Sequence, residues 1–273
     1  MPKIRLNGVK INYRWDGNEG QPILVLSNSL TTNLELWDKQ IPALAKHYRV
    51  LRYDNRGHGL SSSPQGEYIL DDIAGDVVAL MDYLSIDKAS LCGVSMGGMV
   101  GMWLGINAPD RLDKLILCNT SSNVGPPEPW QTRIDTVNEG GMTSIGDAVL
   151  ERFLSSNSRN KGAHNIELVN SMLLSCDVDG YSGCCAAIRD MDLSGQLALI
   201  NNPTLVIAGE LDPATPVSHS ELIVERINGA KLTVIQGVAH LSNLEKPDEL
   251  INKHGRQNLE EVFLKLARNK NEL

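Results

Sequence analysis

The sequence predicts an α/β fold: a mostly parallel sheet with helices on both faces and a helical insertion in its second half. Three observations carry that expectation. Short apolar runs alternate with helical patterns from Pro22 to Cys118. The alternation then stops for about sixty residues that hold helical stretches and no convincing strand. It resumes at Pro203. Alternation of this kind builds βαβ units, whose crossover helices cover both faces of a parallel sheet.

The elements follow in order. Lys3–Leu6 and Val9–Trp15 flank Asn7-Gly8, a favoured two-residue turn, so the chain opens on a hairpin. Pro22–Leu26 reads as a strand, Leu34–Lys46 as a helix and Arg49–Tyr53 as a strand. Leu70–Leu84 is apolar at helical spacing, Lys88–Cys92 is a strand, and Met96–Asn107 is helical until Pro109. Leu115–Cys118 is the sixth strand. The turn-rich stretch Val124-Gly125-Pro126-Pro127-Glu128-Pro129 marks a boundary. Beyond it lie helical patterns at Trp130–Glu139, Ile145–Leu154 and Ile166–Cys176. Strands Pro203–Ala208 and Lys231–Ile235 enclose a helix, Val217–Ile227, and a last helix covers about Gln257–Arg268. The domain reading is a core of residues 1–123 and 192–273 with a helical cap, 124–191, inserted in it. There are no internal repeats.

Composition narrows the function. The 273 residues carry 25 Lys+Arg against 33 Asp+Glu, a net charge of −8. An acidic chain repels phosphate backbones and anionic lipid, which argues against nucleic-acid and membrane partners. Aromatic residues make up only 4%, too few for a base-stacking platform. Aliphatic runs such as Ile23-Leu24-Val25-Leu26 are too short to span a bilayer. No apolar stretch follows the basic start, so no secretory signal is visible. The odd set Cys92, Cys118, Cys176, Cys184 and Cys185 lacks zinc-ligand spacing and fits free thiols in the cytoplasm. Nothing in the sequence calls for a metal or cofactor, and assembly into a homo-oligomer is left open.

One motif carries chemistry. Gly93-Val94-Ser95-Met96-Gly97 is Gly-x-Ser-x-Gly, placed directly after a strand and directly before a helix. The bare pattern arises by chance roughly 0.1–0.2 times in a chain of this composition, so its strand-to-helix context is what gives it weight. Glycines on either side let a strained turn lift the Ser95 hydroxyl above the sheet edge, where the helix N-terminus favours developing negative charge. A serine needs a base. Of six histidines, His240 follows the strand Lys231–Ile235 across a short loop, at the same sheet edge as Ser95. Asp212 follows Pro203–Ala208 and becomes the orienting acid, with Glu210 as its rival. Asn119, after Leu115–Cys118, is not ionisable and excludes an acid there. The order Ser95, Asp212, His240 is one of the known triad orders. His58 also follows a strand but precedes the nucleophile, and reads as a loop histidine bonded to backbone. The oxyanion needs two backbone donors: Met96, after the nucleophile, and Leu30, in the loop Ser27-Asn28-Ser29-Leu30-Thr31-Thr32, with Trp37 as a register mark.

Several segments together resemble the 3-oxoadipate enol-lactonases of the α/β-hydrolase superfamily. They are Ser27-Asn28-Ser29-Leu30, Leu51 to Gly59, Gly93 to Gly98 and Ala239 to Asn243, with Arg133, Glu139 to Met142 and Gly180 to Asp190 in the insertion. The insertion segments are the more specific, because esterases, haloperoxidases and dehalogenases share the core motifs. Thr31 stands where a glycine is expected, and Asn55 where threonine is more usual. The resemblance implies an α/β-hydrolase fold and hydrolysis of a small anionic enol-lactone to 3-oxoadipate, through an acyl-enzyme and without cofactor, in bacterial aromatic-compound degradation (the β-ketoadipate pathway). An anionic substrate in an acidic protein needs a local arginine. Arg133 and Arg189 are the candidates, with Trp130 lining the apolar wall. A broad carboxylesterase, a cofactor-free haloperoxidase and a non-catalytic binding relative are the competing readings.

Overall fold

Continuous apolar runs make the centre of the sheet, as strands covered on both faces require. The computed structural model describes residues 3–248. Eight strands form one sheet in the order β1-β2-β4-β3-β5-β6-β7-β8. They are β1 (Lys3–Leu6), β2 (Val9–Asp16), β3 (Ile23–Ser27), β4 (Arg49–Tyr53), β5 (Ala89–Val94), β6 (Leu112–Cys118), β7 (Thr204–Gly209) and β8 (Lys231–Ile235). The β1–β2 and β2–β4 pairs are antiparallel and the other five are parallel, so only β2 runs against the rest. Every residue of β5 and of β7 is buried, whereas the edge strand β1 alternates exposed and half-buried.

The strand order creates the site. After β3 the chain moves to one side to form β4, and from β5 onward it moves to the other, so β3 and β5 are neighbours whose following loops diverge. Such a switch point opens a crevice at the carboxyl ends of the strands. The loop holding Leu30 and the turn holding Ser95 sit on its two sides.

Helices among the described residues are α1 (Ile41–Leu44), α2 (Leu70–Tyr83), α3 (Met96–Asn107), α4 (Glu128–Gly140), α5 (Gly146–Phe153), α6 (Ser156–Lys161), α7 (Ala163–Leu174), α8 (Val178–Asp190), α9 (Val217–Arg226) and α10 (Ser242–Glu245). In α2 the buried residues Leu70, Ile73, Ala74, Val77, Leu80 and Met81 form one stripe, and Asp72 caps its start by accepting the Ile69 N–H. By contrast, α3 is buried nearly all round and packs on β5 and β6. Helices α4 to α8 fall between β6 and β7, with no strand among them.

Three sequence expectations change. The single helix expected over Leu34–Lys46 is a 3₁₀ turn, Leu34–Trp37, followed by the one-turn α1. Pro42 is the reason: it has no N–H to give and is tolerated only in a first helical turn, so the helix restarts there. Helix α8 was hidden by Gly180, Ser182 and Gly183, all poor helix formers. Its glycines are needed for packing, because a side chain at Gly180 would run into the Gly57 backbone and one at Gly183 into the Tyr68 ring. Asp177 starts the helix by accepting the Gly180 N–H at 3.1 Å. The short polar α6 was also unforeseen; Ser155 caps it by accepting the Ser158 N–H. The helix expected at Gln257–Arg268, and with it His254, lies outside the described residues.

The Gly57–Gly180 contact brings insertion and core backbone together. Gly180→Ala should therefore cost about 1–3 kcal/mol by overpacking, read as a lower urea midpoint. Gly195→Ala, with open space around it, should stay within about 0.5 kcal/mol of wild type. Equal effects would show that the contact does not matter.

Candidate active site

Ser95 occupies a backbone conformation that few side chains tolerate, φ 56° and ψ −117°. It holds because β5 must turn straight into α3. A Cβ at Gly93 would strike the Gly97 carbonyl, and one at Gly97 would strike the Ser27 carbonyl. The Ser95 N–H bonds to the Cys118 carbonyl at 2.9 Å, and the Ser95 carbonyl accepts from Gly98, Met99 and the Thr120 hydroxyl. The strained turn is thus locked on both sides, with Ser95 facing a cavity.

Asp212 and His240 come from the loops after β7 and β8, as the sequence predicts. His240 Nδ1 lies 2.8 Å from Asp212 Oδ2. Asp212 Oδ2 also accepts from the Thr215 hydroxyl at 2.7 Å and from Asn119 Nδ2 at 3.0 Å, while Oδ1 accepts the Ala214 and Thr215 N–H groups. Burial alone would raise the Asp212 pKa. The His240 charge, its hydrogen bond and the Thr215 donors overcome burial and hold it at about 2. An ionised Asp212 makes Nδ1 the protonated nitrogen of neutral His240, which leaves Nε2 free as a base. The His240 ring packs on Phe153, centroids 5.1 Å apart, and Ser95 and His240 line the same cavity.

The rival acid is elsewhere. Glu210 is exposed and accepts the Gly237 N–H at 2.7 Å. Of the other described histidines, His47 and His164 are exposed.

Two residues that sequence reasoning passed over complete this arrangement. Asn119 is fully buried with φ 46°; its amide donates to Asp212 and to the Ala239 carbonyl, and its oxygen accepts from Ser242. The signal was there in a polar residue closing β6 at the carboxyl edge. Being neutral, it donates where an acid would repel. Glu245 accepts the Ala239 N–H at 2.6 Å and the Ser155 N–H at 3.1 Å, tying the His240 loop to the insertion.

Leu30 lines the cavity, and Met96 opens α3, where its N–H has no carbonyl one turn earlier. Among the described residues no protein acceptor takes the backbone N–H of either. Both are therefore available as donors.

The cavity holds about 820 Å³ of empty space, part of it open to solvent, between core and insertion. Trp130 and Arg133 are on its wall, and the Arg133 guanidinium stacks 4.5 Å over the Trp130 ring. Arg189 is not on that wall. It forks onto Glu67 at 3.0 Å and bonds Asp190 at 2.7 Å and Gln131 at 2.7 Å, which corrects its expected place as a substrate contact. Arg152 is on that wall, and nothing in its sequence neighbourhood marked it. Burial, with the Arg133 charge adding to it, pushes the Arg152 pKa below its usual value. Neither arginine has a carboxylate within ion-pair distance among the described residues.

A family model for the alpha/beta hydrolase fold matches residues 22–145. The chain is 39% identical over 239 residues to 3-oxoadipate enol-lactonase 2 of Acinetobacter baylyi, covering 88% of this chain and 89% of that one. It is 33% identical over 244 residues to 3-oxoadipate enol-lactonase 1 of the same organism, covering 89% and 91%. The crystal structure of the enol-lactonase from Burkholderia xenovorans superposes with a TM-score of 0.91 at 35% identity, over 97% of this chain and 99% of that one.

The Asp212 pKa has a consequence for stability. A group held below its usual value stabilises the fold fully above about pH 4, and that contribution is lost as pH falls from about 4 to 2. Urea midpoints across this range should show a loss of roughly 2 kcal/mol that Asp212→Asn largely abolishes. An identical acid slope in both proteins would mean that Asp212 is not held below its usual pKa by its partners.

Proposed function

The chain belongs to the 3-oxoadipate enol-lactonase family of α/β-hydrolases, and from that premise we propose that it opens a small carboxylated enol-lactone, 3-oxoadipate enol-lactone, through an acyl-enzyme on Ser95. One observation carries the substrate reading. The cavity that holds Ser95 and His240 also presents Arg133 and Arg152, two guanidinium groups with no carboxylate within ion-pair distance among the described residues, in a chain of net charge −8. Two uncompensated like charges in one partly buried cavity are costly unless a ligand neutralises them. A carboxylate that accepts their fixed donors is the fitting ligand.

The geometry supports a specific sequence of steps. His240 Nε2 takes the Ser95 hydroxyl proton as Oγ attacks the lactone carbonyl. The Leu30 and Met96 N–H groups hold the oxyanion, while Asp212 keeps the imidazole oriented and stabilises its charged form. The ring C–O bond breaks, and the enolate that leaves takes the proton from His240 and becomes a ketone. Water, deprotonated by His240, then attacks the ester carbonyl, and the acyl chain departs as a carboxylate with Ser95 restored. Phe153 and Trp130 give the lactone ring an apolar wall. A 3-oxoadipate product fits a reaction in bacterial aromatic-compound degradation.

The cytoplasmic expectation has support from the five cysteines, all free and buried. Among the described residues no helix is long and apolar enough to cross a membrane.

Arg133→Ala and Arg152→Ala should each raise KM for the enol-lactone roughly 10- to 100-fold, the worth of a charge-assisted hydrogen bond, and leave nitrophenyl acetate nearly unaffected. Equal losses on both substrates would sink the carboxylate assignment. A serine-directed phosphonate should label the wild type and not Ser95→Ala; an unlabelled wild type would favour a binding protein.

A further inference from the structure

His58 is a second buried histidine at the carboxyl edge of the sheet, and the steps above leave it unused. It is 1% exposed and does not line the cavity. Both ring nitrogens are engaged. Nε2 accepts the Thr31 N–H at 3.0 Å, and a backbone N–H can only donate, so Nε2 carries no proton. The proton then sits on Nδ1, 3.0 Å from the Arg56 carbonyl. The ring is neutral, and burial favours that state, against the pull of the Arg56 carbonyl and the Asp54 charge.

The base of His58 is rigid. Asp54 accepts from Asn12, Leu34 and Leu60, and Arg56 forks onto Asp76 at 2.7 and 2.8 Å. What it supports is strained. Thr31 has φ 66°, a conformation a β-branched residue keeps only when its surroundings hold it. Its hydroxyl bonds back to the Leu30 carbonyl at 2.6 Å. The Leu30–Thr31 peptide therefore has its N–H fixed by His58 and its carbonyl fixed by Thr31 itself. Without the Nε2 acceptor, a buried N–H is orphaned and that peptide is free to turn.

We propose that His58 is a positioning residue for the oxyanion hole: its unprotonated Nε2 holds the Thr31 N–H and so aims the Leu30 N–H at the developing oxyanion. This rests on Leu30 being an oxyanion donor and not on the identity of the lactone.

The test compares His58→Gln with His58→Asn. The amide oxygen of Gln reaches the place of Nε2, whereas that of Asn stops at the place of Nδ1. The readouts are nitrophenyl acetate turnover, affinity for butaneboronic acid, which forms a tetrahedral adduct on Ser95, and affinity for adipate, which binds by its carboxylates. His58→Asn should lose about 100-fold in kcat and in boronate affinity, with KM and adipate affinity within about twofold of wild type. His58→Gln should recover to within about fivefold. The proposal is overturned if Asn and Gln behave alike, or if adipate affinity falls together with kcat. A wild type that cleaves nitrophenyl acetate but not the enol-lactone would fail the substrate reading and leave the nitrophenyl acetate and boronate comparison intact.

Discussion

The Asp212 carboxylate is buried, and a buried charge persists only if its lone pairs are filled. Five donors fill them: the Ala214 and Thr215 N–H groups, the Thr215 hydroxyl, the Asn119 amide and the His240 imidazole. Each donor belongs to the loop that follows a different parallel strand or to the Asp212 loop itself. The carboxylate therefore binds the ends of β6, β7 and β8 to one another, and His240 is held as a consequence. The direction and order of the strands bring these loops to one edge, so site and sheet depend on the same requirement.

The opposite arrangement governs the substrate side. Where Asp212 is saturated with partners, Arg133 and Arg152 have no carboxylate within ion-pair distance among the described residues, although the chain holds more acidic than basic groups. Arg189 shows the ordinary alternative, an arginine satisfied by Glu67 and Asp190. The contrast gives the net charge a sharper meaning. A diffuse acidic surface opposes an anionic ligand weakly through solvent, while two half-buried guanidinium groups side by side would attract it at short range.

The insertion is tied to the catalytic loops at several points. Glu245 links Ser155 to the residue before His240, the Leu241 N–H bonds to the Phe153 carbonyl at 3.0 Å, and Phe153 itself packs on the His240 ring. The residues that shape the cavity are thus the ones that hold the base, so changes in the insertion reach the chemistry as well as the specificity.

Sequence alone determined the α/β class, each of the eight strands of the described residues, the Gly-x-Ser-x-Gly turn and the chain order of Ser95, Asp212 and His240. These are encoded locally, by apolar period, by turn residues and by glycines that a strained backbone requires. The helix over Leu34–Lys46 failed locally too, since Pro42 was in plain view. Tertiary structure alone decided the rest. Asn119, Glu245 and His58 act through partners far away in sequence, and no pattern around them distinguishes a donor aimed at Asp212 from an ordinary loop residue. Arg152 and Arg189 look alike as sequence; whether an arginine is neutralised or left facing a cavity depends on which carboxylates the fold brings near. Helix α8 makes the same point for the backbone: its glycines look like helix breakers until the Gly57 backbone and the Tyr68 ring occupy the space that side chains would need.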